Sequence, residues 1–235
     1  GGPVMAGQTN AYAIFWEPST LPDGTATHVS ANYNSLIKRY FHDVGGTGLY
    51  QNNTQYSDSH GHILNNSVFG GSWVDTSSYP FPDVSCFDPL APHGCLTDQE
   101  IQDEVTRAMR ANNWTSGINH LFFVYTSWGE GSCFANFDPS QCAFTAYCAY
   151  HSAYTLGNHT ILYANMPYTG TQSNSCGVSH SPNNDSDADS TINVTSHEHM
   201  EAVTDPEINA WYDSNGNEIG DKCAWNFGSL PYDGG

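Results

Sequence analysis

Basic residues are nearly absent: five Lys and Arg stand against 24 Asp and Glu, a formal charge of −19 at pH 7. So few cations cannot grip a phosphate backbone, which argues against nucleic acid as a partner, and anionic membrane surfaces repel the chain. Long apolar runs are missing as well. The longest, residues 11–16 and 121–125, fall far short of the roughly 18 residues a helix needs to cross hydrocarbon. No charged stretch followed by an apolar one opens the chain, so no signal peptide is expected. The Gly1-Gly2-Pro3 start reads as the end left once a leader or pro-segment is removed. No Cys-x-x-Cys occurs among the seven cysteines, which argues for disulfides over metal knuckles.

What is present fits an extracellular globular chain. Charged residues make up only 12%, about half the usual share. Their place is taken by 24 Ser, 21 Asn and 19 Thr, so neutral polar groups keep the surface wet. Apolar residues at 38%, with 22 Gly, suffice for a core, and the length suits one domain spanning 1–235. An acidic, cysteine-bearing chain with six Asn-x-Ser/Thr sites (Asn52, Asn65, Asn113, Asn158, Asn184 and Asn193) points to a secreted protein, a glycoprotein in a host that glycosylates. Cys86 with Cys95 and Cys133 with Cys142 would close short loops. Of the other three, Cys176 is expected to pair with Cys223, leaving Cys148 odd.

The apolar pattern predicts α/β (α+β) architecture, a mixed sheet packed with helices and a loop-rich, disulfide-pinned second half. Residues 11–16 and 119–126 read as buried strands, with others near 54–57, 72–75 and 161–165. Ser30 is placed to cap a helix carrying Tyr33, Leu36, Ile37, Tyr40, Phe41 and Val44, which Gly45-Gly46 stops. Thr97 and Glu100 form a capping box before Ile101, Val105, Ala108 and Met109. Residues 127–148 read as a long excursion and 169–189 as a polar loop. A last helix is expected from about Ser190 to Thr204, ended by Asp205-Pro206.

That last helix carries the chemistry, His197-Glu198-His199-Met200-Glu201. Positions i and i+4 share a helix face, so His197 and Glu201 would project together as metal ligands. Glu198 stands where zinc peptidases with His-Glu-x-x-His keep their general base. Glutamate replaces the second histidine here, and carboxylate oxygen is an acceptable zinc ligand. A third ligand is expected from Asp221 or Glu218, ranked ahead of Glu207 and Asp205. His199 lies about 200° around the helix from His197 and is expected to face solvent. The alternating Asp185, Asp187 and Asp189 suit a calcium loop, though without the glycine and distal glutamate of an EF-hand, and equally a solvated loop or a helix N-terminus that welcomes negative charge.

The segments 13–16, 147–152, 161–167, 196–206, 210–212 and 218–223, in that order, resemble the EXORDIUM/phosphate-induced protein family of plants and its secreted microbial relatives. The similarity is spread over most of the chain and is densest in 145–225. Plant members are extracellular, wall-associated and linked to growth. Microbial relatives often keep a His-Glu-x-x-Glu helix followed by Glu-Ile-x-Asp-x-Cys and are described as metalloproteases. The match falls on His197, Glu198, Glu201, Glu218, Asp221 and Cys223, and it implies a zincin-like fold. His151, in a stretch resembling the family's Cys-Gly-x-His, would polarise a substrate carbonyl or bond a metal ligand; a core histidine satisfied by a backbone carbonyl is the alternative. The expectation is a secreted zinc metalloprotease acting on peptide or protein. Zn²⁺ would sit on His197, Glu201 and an acid of 218–221, with Glu198 taking a proton from water on the metal. The rivals are a non-catalytic binder of cell-wall carbohydrate, working through 14 Tyr and six Trp, and a structural, self-assembling extracellular protein.

Overall fold

Strands with apolar residues on both faces can be buried only between two layers of helix, and that is the arrangement found. A computed structural model describes residues 1–80, 86–135 and 138–226. The chain runs β1 (Thr9–Trp16), α1 (Tyr33–Asp43), α2 (Gly48–Gln51), β2 (Ser57–Asp58), β3 (Gly61–His62), β4 (Ser67–Asp75) and β5 (Gly94–Thr97). It continues through α3 (Asp98–Asn112), β6 (His120–Tyr125), β7 (Glu130–Cys133), β8 (Tyr150–Leu156), β9 (His159–Met166), α4 (Ser173–Cys176) and α5 (Ser186–Thr204). The main sheet has the order β4-β1-β6-β9-β8, parallel except for β8, which pairs antiparallel with β9 at one edge. β5 and β7 form a separate parallel pair.

Alternation along the central strands divides the core in two. Ala13, Phe15, Leu121, Phe123, Tyr125 and Ala164 pack with Tyr33, Ile37 and Phe41 of α1 and Ala202 and Val203 of α5. Their neighbours Ile14, Trp16, Phe122 and Val124 meet Ile101, Val105 and Ala108 of α3 on the other face. Each large side chain so buried contributes about 1.5–3 kcal/mol. The Thr97–Glu100 capping box is present in full, with each residue's side chain accepting from the other's backbone N–H.

Several local expectations are corrected. Asn32, not Ser30, is the N-cap of α1 and gives no side-chain bond; Ser30 instead donates its N–H to Tyr168 Oη at 2.9 Å. The strand expected at 54–57 begins only at Ser57, in β2; Thr54 and Gln55 belong to a 3-10 turn, Asn52–Gln55. Side chains decide it: Thr54 Oγ1 and Gln55 Nε2 donate to carbonyls three residues back, which holds the chain in a helical turn. The excursion at 127–148 contains β7, the strand β8 follows it, and the loop at 169–189 contains α4. Helix α5 starts at Ser186, four residues ahead of expectation, because Asp185 caps it by accepting from Ala188 N–H at 3.1 Å. The aspartate run is that helix's N-terminus. Asp187 accepts from Tyr168 Oη at 2.8 Å, and Asp189 takes Asn183 N–H at 3.0 Å.

His199 does not face solvent; it is fully buried. Tyr40 Oη lies 3.1 Å from its Nδ1 and Ser67 Oγ 3.3 Å from its Nε2. The rings of Phe41, Tyr50 and Phe123 surround it. The expectation failed because it assumed an outer face, whereas α5 is covered on both sides. Burial presses the His199 imidazole down to about 3.

Two disulfides match expectation, Cys86–Cys95 and Cys133–Cys142. The third is Cys148–Cys176, leaving Cys223 exposed and free. The short α4 brings Cys176 to the residues just before β8, which no spacing rule reveals. Three bridges are compatible with an extracellular protein. Among the described residues no helix is long and apolar enough to cross a membrane.

Alkylation of the native protein should label Cys223 alone, and peptide mapping without reduction should recover the Cys148–Cys176 link. Labelling at Cys148 would contradict the pairing. His199 also sets a pH dependence. It stays neutral in the fold but charges in the unfolded chain below its ordinary 6.5, so its stabilisation is complete above that pH and is lost as pH falls toward 3. In urea melts, the stability difference between parent and His199→Gln should shrink by roughly 4 kcal/mol from pH 6.5 to 3.5; a constant difference would show that His199 titrates freely.

Candidate metal centre

The site is built where α5 ends and the chain returns over it. His197 and Glu201 stand one turn apart, with His197 Nε2 3.1 Å from Glu201 Oε1. Pro206 stops the helix, and Ile208 in a left-handed conformation (φ 55°) turns the chain. Asp205 Oδ1 fixes that turn by accepting from the N–H groups of Asn209 and Ala210, each at 2.6 Å. A second turn is held by Asp213, whose carboxylate accepts from Asn215 and Asn217 N–H and from Lys222 Nζ. The returning segment donates Asp221 N–H to Glu201 Oε1 at 3.1 Å and sets Asp221 Oδ1 3.5 Å from His197 Nε2.

The two downstream acids are divided between two groups. Asp221 joins His197 and Glu201, while Glu218 Oε1 lies 3.7 Å from His151 Nε2. His151, at the start of β8 and almost fully buried, places Nδ1 3.2 Å from Glu198 Oε2 and 3.9 Å from Glu201 Oε2. Its Nε2 is 3.2 Å from the Asp205 carbonyl, so it meets the backbone carbonyl expected of a core histidine, and it also bonds Glu198. Asp205 is a cap and a backbone acceptor, and Glu207 belongs to neither group. Ligand atoms of His197, Glu201 and Asp221 lie within 4.8 Å of one another, and so do those of His151, Glu198 and Glu201.

Electrostatics favour a cation here. Burial alone would lower the His151 imidazole, but the hydrogen bond and charge of Glu198, then Glu218 and Glu201, override it and lift the group to about 9. His197 behaves alike: burial opposes its charge, and Glu201, Glu198 and Asp221 raise it to about 9. Burial pushes the Glu218 carboxyl up to about 8 and raises Glu201 too. Five acids (Glu198, Glu201, Asp205, Glu218 and Asp221) thus share two imidazoles.

The donors suit a divalent metal. Tetrahedral zinc with bonds near 2.0 Å separates its donors by about 3.3 Å, and the His197 contacts at 3.1 and 3.5 Å bracket that value. Gly220 leaves the room. A Cβ there would lie 2.8 Å from both Glu201 Oε1 and His197 Nδ1. Sequence reasoning missed Gly220, and its place in Glu218-Ile219-Gly220-Asp221, between two acids, was the available signal.

The centre opens on a cleft of about 820 Å³ whose walls include Tyr56, Phe144, Tyr147 and Trp225, with His197 and Glu198 in its lining. The free Cys223 lies on the same wall. No family model, curated protein or solved structure matches the chain.

Gly220→Ala should weaken zinc binding about tenfold or more, a cost typical of disturbing the support of a metal ligand, in a protein that still folds. Isothermal titration of chelator-stripped protein reads the change. Unaltered affinity would place the metal away from Gly220.

Proposed function

We propose that the chain is a secreted metal-dependent hydrolase that cuts peptide bonds in the cleft at the end of α5. The observation that carries this reading is the convergence of His197, Glu201 and Asp221 from helix and returning loop, with Glu198 buried beside them in an open cleft. Zinc is the proposed ion, since imidazole and carboxylate suit it. When bound, such an ion supplies Lewis acidity toward a carbonyl and acidifies water. The resemblance to the EXORDIUM family and its microbial relatives, and the zincin-like fold it implies, support the same reading through the same residues.

The chain's own groups do the rest. Glu198 accepts the proton of the attacking water as its oxygen bonds the peptide carbon, and returns it to the nitrogen as the C–N bond breaks. His151 holds Glu198 by Oε2, 3.2 Å from its Nδ1, and the Asp205 carbonyl in turn fixes the ring. Aromatic walls exclude water from an extended substrate and supply apolar contact.

A second reading has one specific observation behind it. Tyr56 and Trp211 meet edge to face at 5.3 Å, and Trp211 and Tyr212 are exposed, an aromatic rim whose exposed indole face is of the kind that stacks on sugar rings in a non-catalytic wall binder. Glu198→Gln separates the two. It removes the proton acceptor with little change in shape, so peptide cleavage across a broad library should fall by about 10²–10⁴-fold while zinc at His197 is retained. Undiminished cleavage would give the proton to another group. A parent that binds zinc and cleaves nothing would favour the wall-binding reading.

A further inference from the structure

We propose that Glu201 bridges two divalent metal positions, the second held by His151 and Glu198 behind the one on His197. The proposal deepens the metal-centre reading and rests on it. Its ground is the way one carboxylate is divided. Glu201 Oε1 faces His197 Nε2 at 3.1 Å and the Asp221 N–H, while Oε2 faces His151 Nδ1 at 3.9 Å. A carboxylate that turns each oxygen to a different imidazole is arranged as a bridge. Hydrolases with two metals set the ions about 3.5–4 Å apart across such a bridge.

The His151 ring points the same way. A backbone carbonyl only accepts, so the Asp205 oxygen at 3.2 Å assigns a proton to Nε2. Metal-binding histidines usually donate their second N–H in this manner, which fixes the tautomer and frees the other nitrogen's lone pair. Nδ1 looks at Glu198 Oε2 at 3.2 Å and Glu201 Oε2 at 3.9 Å. Without an ion its proton bonds Glu198, and a divalent ion bound there would take that proton's place. The 3.2 Å separation is close to that of donors around one zinc, about 3.3 Å, and the 3.9 Å one is longer. All three side chains are nearly fully buried, with 3% to 6% of their surface exposed, so water does little to screen them.

Unpartnered acceptors lie in the same region: Asp205 Oδ2 and Glu218 Oε1 are buried without hydrogen-bond partners, and a second ion nearby would offer them a counter-charge. With Oε2 toward the second ion, Glu198 would keep Oε1 as its proton acceptor.

The test is stoichiometry. Chelator-stripped parent protein, reloaded with excess Zn²⁺ and gel-filtered, should retain two zinc atoms per chain by elemental analysis. His151→Gln and His197→Gln should each retain one, and Glu201→Gln fewer than one. A second readout needs no variant: protein loaded with Mn²⁺ should show the exchange-coupled electron paramagnetic resonance of adjacent ions. One zinc in the parent, unchanged by His151→Gln, with an uncoupled manganese spectrum, would overturn the bridge and leave the single centre standing. No retained zinc in the folded parent would overturn both.

Discussion

The carboxylates of Glu198 and Glu201 are almost fully buried on a central helix, and a buried carboxylate is stable only where a cation or a set of donors meets it. Much of the architecture answers that demand. The sheet carries α5 on the face it shares with α1, with one side of the helix in the apolar core. The opposite side is roofed by the returning segment, whose Asp221 N–H bonds Glu201. The antiparallel edge strand β8 delivers His151 to Glu198 from below. Three separate pieces of chain therefore converge on one turn of helix.

The few basic side chains do not answer the demand. Arg107 is bound to Asp75 and Glu104 beside α3, on the far face of the sheet. Lys222 adjoins Asp221 in sequence, yet it turns away to Asp213 at 2.8 Å. What remains at the centre is imidazole, which balances carboxylate only when protonated, and an ion from solution, which balances it at any pH where the ligands are ionised. Low basic content and a metal-ready acidic centre are in this sense one property of the chain. The free Cys223 on the cleft wall adds a thiol that the disulfides elsewhere do not engage.

Much of the frame was legible. Uninterrupted apolar runs marked β1 and β6, since strands buried on both faces need them. The Thr97–Glu100 box marked α3, because its signal is local. The pairing of His197 with Glu201 followed from helix geometry, and Asp205-Pro206 marked the end of α5. What failed depends on tertiary placement. His199 was assigned to solvent because one helix face carried ligands, and nothing in a period of 3.6 says that the other face is buried too. Cys148 pairs with Cys176 through the fold of a four-residue helix. Glu218 and Asp221, three residues apart, part toward different histidines because Gly220 lets the backbone press against Glu201 and His197.

The central claim is that His197, Glu201 and Asp221 hold a divalent metal. The most direct test is anomalous diffraction at the zinc edge from crystals grown with stoichiometric Zn²⁺. The account predicts a strong peak about 2 Å from His197 Nε2, Glu201 Oε1 and an Asp221 carboxylate oxygen. A zinc peak elsewhere, with His197 and Glu201 still paired directly as they are at 3.1 Å, would contradict it.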